Sequence, residues 1–485
     1  MNSLEKSIAT IQQTFGQSQD LITRSFFTNY DQQVAILFLE GLADQNKIEE
    51  IVLPWFFHEG DHQQITIKNM LNGFPLSQIK IETDMNKVIK DLTSGEVCIL
   101  FENEASFFII GIQKWAARGI DEPIMDLTIK GAREGFVETI STNISLVRRF
   151  LKDPKLRVEG MSIGRMSKTN IAILYIEGIA KETIIHEVRK RLKKIDVDMI
   201  LSASQIEKWI EDNDWSPFPQ IRFTERPDVT ASSLADGKVG VLVDNSPFAL
   251  LMPLTFMESL QNIEDYYDKW YVASAIRIVR LLAFMISLFA PAFYIAFVHF
   301  LPGLIPTDLL ITVISARTQV PFPAVIELLL MELTLEIFRE ASIRIPKPIG
   351  PSVGIIGGIV IGQSAVSAGL VSPITLIVVA ITAIASFSSP SYSMAYSFRL
   401  IRFLMIFSGV YLGLYSLMLA ILFFLVSLVS LESFGTPYFT PFGPMVIRDW
   451  VDSIILAPVR WRTKRPSYTT NKNKTKSRWR PLKKE

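Results

Sequence analysis

Two stretches, VAILFLEGLA at residues 34–43 and IAILYIEGIA at residues 171–180, decide how the first half of this chain folds. Each is an apolar run that ends at Glu-Gly, which is typical of a buried strand leaving its sheet. The stretches GEVCILFEN from Gly95 and GKVGVLVDN from Gly237 form a second pair of similar apolar runs, in the same order along the chain. Repetition in a fixed order predicts one structural unit that is present twice.

The two copies predict two similar α/β lobes, at about 30–115 and 168–255. Each copy closes with two apolar runs around an Asn that follows an acidic residue, which is the pattern of a hairpin turn. An amphipathic pattern near 133–151 predicts a helix that links the two lobes.

A cleft between two lobes is a common place for a ligand to bind. The candidate cleft residues lie at strand ends and hairpin turns, and they are Glu40, Asn103, Glu177 and Asn245. The alternative is a duplicated scaffold for assembly, in which the two glutamates only cap strand ends. Fold by itself does not decide between the two.

The second half of the chain, 271–435, contains long apolar runs and is predicted to be an α-helical polytopic membrane domain. The apolar core of a bilayer is about 30 Å thick, and a helix needs about 20 residues to cross it. The predicted spans are four uncharged runs, at 281–301, 351–371, 374–389 and 403–431. The fold class is therefore predicted as α+β, with a bilobal α/β cytoplasmic domain over 1–270 ahead of these helices.

A further apolar helix, at 324–340, contains four acidic residues, Glu327, Glu332, Glu336 and Glu340. A charge that faces lipid at a helix centre costs about 2.5 to 3.5 kcal/mol. We therefore predict that this helix is re-entrant or interfacial, or that its acidic face points into protein or water.

The distribution of basic residues predicts the orientation of the spans. Lys269, Arg277 and Arg280 precede the first span, and residues 448–485 carry a net charge of +9. Placing both basic regions in the cytoplasm requires an even number of spans, which is four, or six with a weak extra span near 305–316. The basic tail, 436–485, is expected to be solvated or attracted to lipid.

The span 351–371 has two different faces. Glycines recur every fourth residue and fall within a 120° arc of a helix, where bared backbone favours close helix packing; they are Gly350, Gly354, Gly358 and Gly362. The opposite side carries uncharged polar residues among aliphatic ones, namely Ser352, Val353, Ile356, Val360, Gln363 and Ser367. This side either lines an aqueous path or bonds to neighbouring helices, and both interpretations require assembly.

Several classes of function are disfavoured. The charge balance, 49 basic against 48 acidic side chains, argues against nucleic-acid binding by the whole chain, and the single cysteine, Cys98, excludes an internal disulfide. The sequence HEGDH at 58–62 matches the H-E-x-x-H zinc motif, but its Gly and Asp disfavour the helix that zinc binding there requires. We predict no catalytic residue, metal or cofactor. The first thirty residues lack the apolar core of a signal peptide, so the N-terminal domain is predicted to be cytoplasmic.

Several long segments carry a resemblance to a known family. They are DLTIKGAREGFVETISTNISLVRRFLKDP at 126–154, PFPAVIELLLMELTLEIFREASIRIPKPIGPSVGIIGGIVIGQSAVSAGLVSP at 321–373, FSSPSYSMAYSFRLIRF at 387–403 and YFTPFGP at 438–444. With these the chain resembles the A subunits of bacterial spore nutrient-germinant receptors, the GerA family. The resemblance implies an inner spore membrane protein, with both termini cytoplasmic, that works with a transporter-like B subunit and a lipoprotein C subunit in response to small nutrients. It also implies that the A subunit forms an oligomeric ion channel, while nutrient recognition falls mainly to the B subunit.

Three hypotheses follow. In the first, the chain is a gated channel subunit whose pore is lined by 351–371, and coupling to the gate falls to Glu327, Glu332, Glu336 and Arg339. In the second, it is a non-conducting scaffold that holds the partner subunits and signals by contact. In the third, it is a secondary transporter, which predicts an inverted repeat among the spans; the duplication found here lies outside the spans.

Overall fold

The structure is a computed structural model of the 485-residue chain. It describes residues 3–16, 18–29, 31–57, 70–71, 74–76, 78–102, 104–114, 123, 128, 130–345, 360–470 and 473–477.

The first lobe is an antiparallel five-stranded sheet with the order β1-β2-β4-β5-β3. Helix α1 (Ser3–Phe15) precedes the sheet, short helical turns at Gln45–Lys47 and Leu53–Phe57 follow β2, and helix α2 (Met85–Thr93) precedes β4. The strands are β1 (Leu21–Phe27), β2 (Gln33–Leu39), β3 (Ile79–Glu82), β4 (Val97–Phe101) and β5 (Phe107–Ile110). Successive residues of β2 enter different apolar clusters on the two faces of the sheet, which explains why its sequence is apolar throughout.

The second lobe repeats this topology strand for strand, with the order β6-β7-β9-β10-β8. Its strands are β6 (Leu156–Ile163), β7 (Thr169–Ile176), β8 (Arg222–Thr224), β9 (Val239–Val243) and β10 (Ala249–Met252). Its helices are α4 (Glu182–Lys193), α5 (Ala203–Ile210) and α6 (Pro227–Ala235). The prediction of two similar lobes is confirmed, but both lobes begin earlier than predicted, because β1 and β6 precede residues 30 and 168.

Helix α3 (Ile140–Phe150) joins the lobes, as the amphipathic pattern near 133–151 predicts. Its Arg148 is fully buried and donates from Nε and Nη2 to Asp20 of the first lobe, at 2.7 and 3.0 Å. The same Nη2 donates to Leu156 O, where the second lobe begins, at 2.9 Å. One guanidinium therefore ties both lobes to the linking helix.

The second half of the described chain is helical. Its helices are α7 (Trp270–Ile295), which continues as a π-helical turn to Phe300, α8 (Thr307–Arg317), α9 (Ala324–Arg344), α10 (360–367), α11 (Pro373–Ser386), α12 (Tyr392–Leu412) and α13 (Leu414–Ser430). Two of them are long and apolar enough to cross a membrane, Trp270–Phe300 and Tyr392–Leu412, while Pro373–Ser386 and Leu414–Ser430 are apolar but shorter.

Helices α7 and α12 run side by side in the same direction. The rings of Phe284 and Phe398 lie 4.3 Å apart near one end. Further along, a Cβ on Gly409 would lie only 2.9 Å from the carbonyl oxygen of Ala292, so that glycine allows the two backbones to touch. Helix α13 then returns along this pair, since Phe424 packs 6.1 Å from Phe289.

Two helix predictions differ from the structure. The run 403–431 is not one helix, because Gly413 adopts φ 63° and separates α12 from α13; a left-handed glycine is a common helix terminator. The helix predicted at 324–340 is present and continues to Arg344, and its re-entrant or interfacial placement stays a prediction. The number of membrane crossings stays a prediction.

The C-terminal segment contacts the rest of the protein, which differs from the expectation of a solvated tail. Residues after α13 form a small hairpin, Glu432–Ser433 with Thr436–Pro437, and then fold back onto the second lobe. Arg465 donates to Ala235 O at 2.7 Å, and the hydroxyl of Tyr468 donates to Glu258 at 2.7 Å. The segment is therefore attached to the folded protein by hydrogen bonds, which its net charge does not reveal.

Candidate functional site: a buried ionic network among the helices

The acidic side chains in the first part of α9 are turned into the protein, while Glu340 near its end is exposed. Glu327 and Glu332 are 1% and 0% exposed, although both belong to a helix that is apolar on its other sides. Ionised groups inside a membrane domain are expensive unless they are paired, and they commonly mark functional sites. The partners of these carboxylates therefore define the candidate site.

Glu327 fastens the beginning of α11. Its Oε1 accepts from Arg317 Nε of α8 at 3.2 Å, and its Oε2 accepts from Ser372 N at 2.9 Å and from Thr375 Oγ1 at 3.0 Å. Ser372 is the N-cap of α11 and immediately follows the glycine-rich segment. A carboxylate at a helix N-terminus is stabilised by the free N–H groups and by the helix dipole.

Glu336 lies at the centre of three guanidinium groups. Arg339 of the same helix donates to Oε1 at 3.1 Å, Arg399 of α12 donates to Oε2 at 3.0 Å, and Arg402 of α12 donates to Oε1 at 3.3 Å. Arg339 also donates to Ser386 at the end of α11, at 3.2 Å. The carboxylate of Glu336 thereby joins α9 to α12, and Arg339 extends this connection to α11.

Glu332, one turn before Glu336, faces Arg402 alone. The Nη1 to Oε2 distance is 3.4 Å, and both side chains are fully buried. Neither carboxylate oxygen of Glu332 and neither Nη1 nor Nε of Arg402 has a hydrogen-bond partner among the described residues. The pair is thus held by charge without hydrogen bonds, which is a weak arrangement for buried ions.

The network is connected to the second lobe through the beginning of α12. The hydroxyl of Ser397 donates to the carbonyl of Pro217 in that lobe. The adjacent Phe218 is buried between the rings of Phe424 and Tyr438, at 5.8 and 6.2 Å. A displacement of the lobe would therefore reach the helix that carries the network's arginines.

Only the end of the glycine-rich segment, from residue 360, lies among the described residues, so its packing and pore-lining faces stay a prediction. Gly362 is buried, and a Cβ there would lie 3.6 Å from Leu376 of α11. Val360, Gln363 and Ser367 are exposed. The other predicted lining and packing positions lie outside the described residues; they are Gly350, Ser352, Val353, Gly354, Ile356 and Gly358.

The structure does not gather the predicted cleft residues into one site. Glu177 follows β7 and pairs with Arg157, which also donates to Thr14 O of the first lobe at 3.2 Å. Glu40 is exposed beyond β2. Asn245 follows β9, which is antiparallel to β7, so it lies at the opposite end of the sheet from Glu177, and Asn103 lies outside the described residues.

The H-E-x-x-H match at 58–62 also lies outside the described residues. Among the described residues, no group of three His, Cys, Asp or Glu side chains is placed to hold a metal ion.

Sequence reasoning identified the acids of the network but missed the partner bases, Arg317, Arg399 and Arg402. The two bases on α12 are three residues apart beside an apolar run, which places them on one helix face. This spacing is the feature of the sequence from which the two bases on α12 could have been predicted.

Comparison with known proteins decides the family. The family model "Bacillus/Clostridium GerA spore germination protein" matches residues 9–468. The chain belongs to the GerA family of spore germination proteins. Among its GerA-family relatives are spore germination protein KA of Bacillus subtilis (strain 168), 41% identical over 98% of this chain and 88% of that protein, and spore germination protein GerLA of Bacillus cereus, 39% identical over 91% of this chain and 90% of that protein.

A further relative of this GerA-family chain is named as an uncharacterized membrane protein, YfkQ of Bacillus subtilis (strain 168), at 37% identity over 92% of this chain and 87% of that protein. The crystal structure of the N-terminal domain of the A subunit of the Bacillus megaterium spore germinant receptor GerK3 aligns with a TM-score of 0.39 and 30% identity, over 53% of this chain and 96% of that chain. None of these names is that of an enzyme.

Proposed function

We propose that this chain is the A subunit of a spore germinant receptor and acts as an oligomeric, nutrient-gated ion channel in the inner spore membrane. Family membership supports the receptor role, and the two-sided glycine-rich segment supports conduction. In an assembly, the side with Gly362 would pack on α11 while Val360, Gln363 and Ser367 face an aqueous path. Uncharged polar and small aliphatic side chains suit a narrow pore that passes ions only when it is open.

The ionic network would serve as the coupling element. The observation that carries this proposal is the attachment of Arg402, on the helix that contacts the second lobe, to both Glu332 and Glu336 of α9. Helix α9 precedes the glycine-rich segment in the sequence, and Glu327 accepts a hydrogen bond from the backbone N–H of Ser372, which follows that segment. A shift of α12 would therefore be passed to both ends of the proposed pore helix.

The partners proposed for this chain are further copies of itself, a transporter-like B subunit and a lipoprotein C subunit. Nutrient recognition would fall mainly to the B subunit, because the structure does not gather the predicted cleft residues of the bilobal domain into one site. The nutrient signal would then enter this chain through contacts on its lobes or helices.

Cysteine accessibility of reconstituted channels tests the proposal. Cys98, the native cysteine, is fully buried, and burial raises the pKa of its thiol, so it will not react readily. A positively charged methanethiosulfonate should reduce the current of Gln363→Cys and Ser367→Cys channels in a planar bilayer. It should not affect Ile384→Cys, which is exposed on α11.

Two results would oppose the proposal. Purified oligomers that never conduct, with or without the partner subunits and nutrient, would favour the non-conducting scaffold. Equal modification of Gln363→Cys and Ile384→Cys channels would show that 360–367 does not line the path.

A further inference from the structure

The segment that follows α13 exposes an unusual amount of apolar surface. Ile447, Val459 and Trp461 are 73%, 71% and 72% exposed, and Met445, Trp450 and Ile455 are also exposed. Contiguous apolar surface of this kind on a protein commonly marks an interaction site.

The same segment has a firmly attached inner face. Leu456 is buried, and its backbone N–H donates to Ser274 Oγ of α7 at 3.0 Å. Arg277 of α7 donates to Ser453 O at 3.0 Å and to Asp452 Oδ1 at 3.0 Å. The exposed side chains are therefore carried by a segment whose backbone is fixed along the first two turns of α7.

Those turns are where the candidate span of α7 begins. Trp270 and Tyr271 are exposed at its first residues, and Val279 and Leu282 are exposed further along. Trp and Tyr are enriched at the level where a membrane meets water. The segment 445–461 thus contacts α7 at the aromatic end of that candidate span.

Basic side chains lie within this segment and directly after it. Residues 445–461 contain two basic and two acidic residues, and three further basic residues follow at 462–465. An apolar face with interspersed Arg, Lys and Trp is typical of segments that lie in the headgroup region of an anionic membrane. The core of a protein interface is instead depleted in charge.

We propose that residues 445–461 form an interfacial membrane anchor, which lies in the headgroup region of an anionic bilayer and fixes the beginning of α7 and the second lobe at the membrane surface. The anchor requires the helices to lie in a bilayer, but it does not require the chain to conduct ions.

Site-directed spin labelling of the full chain in lipid nanodiscs tests the anchor. Because Cys98 is buried, nitroxides can be attached singly to Ile447→Cys, Ile455→Cys and Val459→Cys without removing it. Phe27→Cys is the matched control, since Phe27 is also an exposed apolar residue but lies at the end of β1 in the first lobe. Oxygen, which concentrates in lipid, and a water-soluble nickel chelate are the two relaxation agents.

The anchor predicts that labels at 447, 455 and 459 are relaxed more by oxygen than by nickel, and that the label at Phe27 shows the reverse. The preference for oxygen should increase when phosphatidylglycerol is included in a phosphatidylcholine nanodisc. Strong relaxation by nickel at all three sites would overturn the proposal, and exclusion of both agents would overturn it in favour of a contact between protein chains. Neither outcome depends on whether the chain conducts, so a failure here is distinct from a failure of the channel proposal.

Discussion

The guanidinium of Arg402 lies 3.4 Å from the carboxylate of Glu332, and both groups are fully buried where α12 packs against α9. The nearby Glu336 also pairs with Arg402, and it pairs with Arg399 and Arg339 as well. The five groups together carry three positive and two negative charges, so neutralising any one of them changes the balance. The stability of this junction is therefore expected to depend strongly on each member.

Substitution of Arg402 by Met should lower the free energy of unfolding by about 3 to 5 kcal/mol, because it leaves the carboxylate of Glu332 buried without a partner. The double substitution Arg402→Met with Glu332→Leu should recover part of that loss, since it removes both charges. The measurement is denaturant unfolding of the purified protein in detergent.

Arg344→Met is the control for this prediction. Arg344 pairs with Glu340 on the same helix, but the two side chains are 80% and 64% exposed. Exposed pairs contribute about 0 to 1 kcal/mol. Similar losses for Arg402→Met and Arg344→Met would show that the Arg402 pair is solvated and does not form a buried junction.

Glu327→Gln should destabilise the protein by about 2 kcal/mol, because hydrogen bonds to a charged group are worth about 1.5 to 3 kcal/mol. The variant keeps an acceptor for Ser372 but loses the charge that faces Arg317 and the N-terminus of α11. The free energy of unfolding in detergent checks this. Glu340→Gln, on the exposed side of α9, is the control, and an equal effect of the two variants would contradict the capping role of Glu327.

Phe218→Ala should weaken the contact between the second lobe and the helices by about 3 to 5 kcal/mol, the usual range for loss of a buried Phe. Its neighbour Trp215 is 96% exposed, so Trp215→Ala should change stability by less than about 0.5 kcal/mol. Limited proteolysis between β10 and α7, which connect the second lobe to the helices, should be faster only in Phe218→Ala. In the complete receptor, the same variant should reduce the response to nutrient without preventing assembly.

The sequence predicts the lobes well because their signals are local. Apolar runs that end at Glu-Gly, repeated in order, suffice to place β2 and β7. The first strand of each lobe was not predicted from the sequence. Strands β1 and β6 contain polar residues and pair with a neighbour on one side only, and such edge strands lack the continuous apolar pattern of central ones.

The site is predicted only in part, because its pairs join distant parts of the chain. Glu336 meets Arg399 across 63 residues and Arg402 across 66 residues. A periodic pattern shows which face of α9 is acidic, but it does not show which helix supplies the bases. In the same way, the net charge of the C-terminal segment does not reveal that Arg465 and Tyr468 are bonded to the second lobe.

Glu207 of α5 should make the stability of the second lobe depend on pH. Burial, with a further contribution from the negative charge of Glu211, raises the pKa of its carboxyl from an ordinary value of 4.5 to about 8. Between these values the folded protein holds a proton that the unfolded chain has released, so stability falls as pH rises through this window. The carboxyl lines a cavity of about 270 Å³ that also contains Ser391 and Tyr392, at the beginning of α12.

Glu207→Gln should therefore reduce the loss of melting temperature between about pH 5 and about pH 8. Glu211→Gln should reduce it less, because it removes a neighbouring charge and leaves the buried carboxyl in place. Thermal unfolding of the full chain in detergent at the two pH values, followed by tryptophan fluorescence, is the measurement. A Glu207→Gln variant with the pH dependence of the unsubstituted protein would show that Glu207 is already ionised in the fold, and that the cavity beside α12 is open to water.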